Sequence, residues 1–157
     1  MTESIPPLIK TVSLNVPQQR AFELFTAHVA HWWPLATYSV SAQIAQQPAQ
    51  RCAFEPREGG AFYEIDAEGQ HHVWGTVLRW RPHGQLTFSW HPGAPESQAT
   101  TVDVRFDAIC EDETRVVLTH HGWEARGDDA RSARDDYDGG WELVLDGGLR
   151  AYAASEP

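Results

Sequence analysis

The stretch from Tyr137 to Tyr152 constrains the chain most. Trp141, Val144, Leu145, Leu149 and Tyr152 recur at steps of three or four, the spacing of one helical face, while Glu142, Asp146 and Arg150 fall largely on the other side. A lone helix cannot bury such a stripe, and almost everything before it alternates like β-strand. A sheet that curves around this last helix satisfies both. The pairs Gly139-Gly140 and Gly147-Gly148 weaken a helix by roughly 1 kcal/mol per glycine, so packing must hold it. They also let other groups approach it closely.

The strands come in order. Leu8 to Val16 alternates, with Leu8, Val12 and Leu14 on the buried face. Pro17 then opens a helix whose apolar face is Ala21, Phe22, Leu24, Phe25 and Val29, and which ends near Trp32-Trp33-Pro34. From Trp33 to Gln50 no period survives, and a long loop is expected, with Tyr38 within it. Strands are predicted at Arg51–Glu55, Ala61–Ala67, His71–Arg81, Leu86–Trp90, Thr100–Cys110 and Arg115–Gly122. In the longest, Trp74, Thr76, Leu78 and Trp80 share one face, opposite Leu86, Phe88 and Trp90. Val102, Val104, Phe106 and Ala108 share one face of their strand, and Val116, Leu118 and His120 point inward. The acidic stretch Trp123–Asp138 reads as a loop into the final helix. Six consecutive strands at hairpin spacing are antiparallel neighbours. The fold class is α+β.

Composition excludes several functions. At 157 residues the chain is one domain, 1–157. A net charge of −10, with −7 of it in residues 111–157, argues against nucleic acid as partner. No apolar run reaches the ~20 residues of a membrane span, the start lacks a signal peptide's pattern, and a cytoplasmic location is expected. Cys52 and Cys110 in strand-like stretches suit two buried, reduced thiols. No spacing supports a metal site or a cofactor: His71-His72 and His120-His121 are adjacent on strands and point to opposite faces, and His28 and His31 lack a third ligand. No nucleophile elbow, phosphate loop or dinucleotide fingerprint is present. Exposed edge strands leave a homodimer open.

Together, Phe22–Thr26 with Trp32-Trp33-Pro34, Phe54–Gly60, Trp74–Leu78, Leu86–Trp90, Thr114–Leu118 with His120 and Gly122, and Gly140 to Tyr152 resemble the SRPBCC superfamily. This is the START-like or helix-grip fold, and the similar branch is named after the activator of the heat-shock-protein-90 ATPase. The resemblance spans nearly the whole chain. It implies a curved six- to seven-stranded antiparallel sheet around a long C-terminal helix, with one or two short helices after strand 1. It also implies a largely apolar cavity between them. An apolar or aromatic small molecule is then the expected partner, and the candidate ligand-binding residues are Trp32, Trp33, Tyr38, Trp74, Leu78, Phe88, Trp90, His120, Trp141 and Leu145. A cyclase- or hydrolase-type enzyme using the same cavity with His120 as its catalytic group is the alternative, as is a chaperone-interacting regulator. One inward polar residue suits binding better than catalysis.

Overall fold

The computed structural model describes residues 5–34 and 49–155. Seven antiparallel strands form one curled sheet in the order β1-β7-β6-β5-β4-β3-β2. They are β1 (Leu8–Leu14), β2 (Arg51–Phe54), β3 (Ala61–Ile65), β4 (His71–Arg81), β5 (Gln85–Trp90), β6 (Thr100–Cys110) and β7 (Glu113–His121). Strands β2 to β7 meander, each paired with the next, as their short connections require. The first strand returns to the far edge and pairs with β7, Leu8 opposite His120 and Leu14 opposite Thr114.

Helices α1 (Gln18–Thr26) and α2 (Val29–Trp32) follow β1. The expected apolar face of α1 is buried throughout, together with Val29. No side chain caps α1; Ala21 N–H reaches the Pro17 carbonyl at 2.9 Å instead. The C-terminal helix fills the concave side of the sheet. It begins at Ala130, runs as α-helix to Glu142, widens into a π-helical stretch at Leu143–Arg150 and finishes with Ala151–Ser155. Trp141, Val144, Leu145 and Leu149 are buried as the spacing predicts. Lys10 on β1 clips the helix from outside, paired with Asp138 and with Glu142.

Four expectations are corrected. Leu78 is 51% exposed, and Val77 points inward in its place. Two irregularities in β4 cause this, one at Trp74 against β3 and one at Leu78 against β5. Each bulge adds a residue and flips the alternation, so the inward residues of β4 run Trp74, Val77, Trp80. The stretch Trp123–Asp138 is not a loop: a 3₁₀ segment (Trp123–Asp129), kinked at Gly127 (φ 69°, ψ −127°), leads into helix from Ala130. Asp135, Asp136 and Asp138 are exposed members of that helix, and their charge had masked its period. Ala108, expected on the inner face of β6, is exposed. Cys110 is likewise exposed at the end of β6, past the register shift at Ala108, whereas Cys52 is buried.

Candidate ligand site

Trp33, Trp74, Trp90 and Trp141 come together from α2's end, β4, β5 and the C-terminal helix. Trp33 stands in the middle, its ring centroid 5.2 Å from Trp74, 5.7 Å from Trp90 and 5.8 Å from both Trp141 and Trp32. Phe62 closes the floor at 5.9 Å, edge to face at 90°. Phe88 lies behind Phe62 and Trp90, at 5.3 and 5.9 Å. These are contact distances for aromatic pairs, so the indoles themselves fill the middle of the interior.

Indole N–H groups fix Trp74, Trp90 and Trp141 in place. Trp74 donates to Glu64 Oε1 at 2.7 Å, Trp90 to the Tyr137 hydroxyl at 2.9 Å and Trp141 to His120 Nδ1 at 3.0 Å. Trp32 is pinned elsewhere, donating to the Leu24 carbonyl of α1 at 2.7 Å. The other two tryptophans stand apart: Trp123 packs under His120 at 4.0 Å, and Trp80 meets Phe22 at 5.1 Å.

His120 is fully buried, as alternation on β7 predicts. An indole N–H can only donate, so Nδ1 is the acceptor and the proton sits on Nε2. That proton is donated to Thr100 Oγ1, 2.6 Å away, and the threonine hydroxyl is in turn directed to the Trp90 carbonyl at 3.3 Å. Burial, with His121 and Arg126 adding to it, pushes the His120 pKa down to about 3. The ring is therefore neutral at ordinary pH with both nitrogens engaged. It orients Trp141 and has no lone pair to offer as a base. Burial likewise pushes the Tyr137 phenol up, and the Cys52 thiol, with Glu64 beside it, well out of the reactive range.

Of the predicted site residues, the structure gathers Trp32, Trp33, Trp74, Phe88, Trp90, His120 and Trp141, with Leu145 buried in the same core. Leu78 lies on the outer face. Tyr38 lies outside the described residues. The sequence did not single out Phe62, Glu64, Thr100, Trp123 or Tyr137 as site residues. Four of these carried a usable signal. Phe62 and Glu64 alternate on β3, Thr100 alternates with Val102 on β6, and Tyr137 stands one helical turn before Trp141. Among the described residues no group of three His, Cys, Asp or Glu could hold a metal ion. No helix among them is long and apolar enough to cross a membrane.

Known proteins share this architecture. An anthrahydroquino-gamma-pyrone synthase, Txn09, solved as a complex, is 30% identical, with 88% of this chain and 90% of that one covered and a TM-score of 0.58. The self-sacrificing resistance protein CalC from Micromonospora echinospora is 21% identical over 94% of both chains, TM-score 0.67. An HSP90 activator from Plasmodium falciparum is 20% identical over 74% of this chain and 73% of its own, TM-score 0.50. The last two share the fold. No curated protein matches. Residues 15–154 match the family described as activator of Hsp90 ATPase homolog 1-like protein, and the chain belongs to it.

Proposed function

We propose that this chain binds a planar hydrophobic or aromatic small molecule between its sheet and its C-terminal helix. One observation carries the reading: Trp74, Trp90 and Trp141 face a common interior, each held in orientation by a polar partner, Glu64 and His120 buried and Tyr137 half-buried. A core that needed only volume is built more cheaply from aliphatic side chains, because every buried polar group must find its hydrogen bonds. Oriented indole faces are what an aromatic guest recognises. The 30% identity to a synthase whose name places it on a fused aromatic pyrone supports the same ligand class.

The test is titration with 1,8-dihydroxyanthraquinone, read by tryptophan fluorescence, native mass spectrometry and thermal unfolding. A 1:1 complex, quenching, and a melting temperature rising with ligand concentration are expected. No quenching and no thermal shift up to the solubility limit overturns the reading.

The same relative favours a second reading, catalysis in this interior. His120 could serve as its base only after breaking from Trp141. If the purified protein turns over a polyketide quinone, His120→Ala must abolish the rate; an unchanged rate removes His120 from that role.

A further inference from the structure

We propose that Arg126, with the Tyr137 hydroxyl beside it, seats an anionic oxygen, so that the guest of this interior is an aromatic acid. This rests on the binding reading above.

The 3₁₀ segment after β7 delivers the arginine. Residues three apart eclipse in such a helix, so Trp123 and Arg126 share a face. Trp123 is fully buried, and its indole donates to the His120 carbonyl at 3.0 Å, which fixes the segment against the end of β7. Arg126 follows one turn later. One of its Nη groups donates to Asp129 Oδ2 at 2.8 Å. Its Nε is buried and is, among the described residues, the one buried side-chain nitrogen or oxygen without a hydrogen-bond partner. A guanidinium keeps its charge at any pH at which the protein is folded. Orphaned buried donors are rare, and each calls for a cause.

The second donor is Tyr137. It stands where the aromatic box of Trp33, Trp74, Trp90 and Trp141 meets this segment, its ring 6.4 Å from Trp90, 6.3 Å from Trp141 and 5.8 Å from Trp123. Its oxygen accepts the Trp90 indole N–H at 2.9 Å, and Arg126 is close enough to hydrogen-bond the same oxygen. Both of these neighbours can only donate. The phenol's own proton must therefore point elsewhere, and no acceptor for it lies among the described residues.

Two adjacent donors, one of them cationic and both without an acceptor, suit an oxygen that brings negative charge. Asp129 does not cancel that charge: its side chain is 52% exposed, where water screens the pair. Arg126 and Tyr137 are both half-buried, so the seat lies at the margin of the interior. Fused rings against the indoles and an acidic head at the margin fit one molecule. A charge-assisted contact there predicts a preference of ~10- to 100-fold for the acid over its neutral isostere.

The experiment titrates wild type, Arg126→Gln and Tyr137→Phe with anthraquinone-2-carboxylate and anthraquinone-2-carboxamide at pH 7, read by tryptophan fluorescence. 1,8-Dihydroxyanthraquinone, run alongside, tests the binding reading itself. The ratio of the two affinities is the readout, because a variant that merely loosens the fold weakens both ligands alike. Wild type should prefer the carboxylate by ~10-fold or more, and Arg126→Gln should bring the ratio within ~3-fold of unity. Tyr137→Phe should lower it by a smaller factor, since it removes the neutral donor and leaves the charge. A carboxylate that wild type binds no better than the carboxamide, or a preference that survives in Arg126→Gln, overturns the anion seat while the dihydroxyanthraquinone complex keeps the binding reading. Binding of none of the three overturns both. Should Arg126→Gln not fold, the Arg126 Nε–H proton resonance of wild type decides: it moves downfield with the carboxylate and not with the carboxamide, and an unmoved resonance overturns the seat.

Discussion

Gly147 and Gly148 are neighbours in the C-terminal helix, yet replacing each by alanine must shift stability in opposite directions. Beside Gly147 nothing lies within 4 Å of the added methyl. Only the gain in helix propensity remains, up to ~1 kcal/mol. Beside Gly148 the methyl meets the Trp32 carbonyl oxygen at 2.6 Å and Trp32 Cε3 at 3.4 Å. That oxygen is backbone and cannot rotate away, and Trp32's indole is tied to α1. Overpacking of this kind costs ~1–3 kcal/mol, and a contact so short belongs near the upper end. With the propensity gain subtracted, ~2 kcal/mol of net loss is left. In a domain of this size 1 kcal/mol moves the melting temperature by ~2–4 °C. Gly147→Ala should therefore raise it by ~2–4 °C and Gly148→Ala lower it by ~4–8 °C, measured by calorimetry at neutral pH. The near-ultraviolet circular dichroism should change only for the second. If both variants are stabilised, the close approach of the Trp32 carbonyl to Gly148 is refuted.

The remaining predictions concern groups inside and outside the box. The folded-state pKa of His120, about 3, lies below the ordinary 6.5 of the unfolded chain. Its contribution is thus fully present above pH 6.5 and is lost as the pH falls toward 3, at ~1.4 kcal/mol per unit. Urea unfolding at intervals from pH 7 to 5 should show this slope in wild type and a much smaller one in His120→Gln; equal slopes would refute a buried neutral ring. Thr100→Val leaves the His120 Nε2 proton without its acceptor in a dry site, and should cost ~1–3 kcal/mol of unfolding free energy. A loss below ~0.5 kcal/mol would mean that the proton finds another acceptor. A maleimide probe should label the folded protein once, at Cys110, and twice in urea, since Cys52 is buried. Mass spectrometry counts the adducts, and double labelling of the native state would contradict the burial.

The fold was legible because its signals are periodic. Alternation located β1, β6 and β7, and the three-and-four spacing of Trp141, Leu145 and Leu149 found the helix that the sheet encloses. It failed where a regular period is broken by geometry that only a partner strand imposes. The bulge at Leu78 answers the register of β5, and no property of Leu78 itself announces it. The helix start at Ala130 was hidden for a different reason: its first two turns carry mostly charge and alanine, and packing against 3₁₀ residues such as the buried Trp123 sustains them. At the site, His120 was legible as inward but its role was not. A histidine's function is set by who holds its two nitrogens, and Thr100 and Trp141 lie 20 and 21 residues away.

Those partners also explain why this interior is expensive to build and what the expense secures. Glu64, Thr100, His120 and Tyr137 put four hydrogen-bonding side chains into a space that aliphatic residues could have filled, and each must be satisfied or it destabilises the fold. Three of the four spend a hydrogen bond directly on an indole N–H, and Thr100 does so through His120. Hydrogen bonds add little net stability, but they remove rotational freedom from three large flat side chains. Orientation is the gain. A preorganised aromatic wall favours one shape of guest over others, and it matters only if something other than the wall comes to rest against it. In this structure the ring of Trp33 rests there, in contact with Trp74, Trp90 and Trp141.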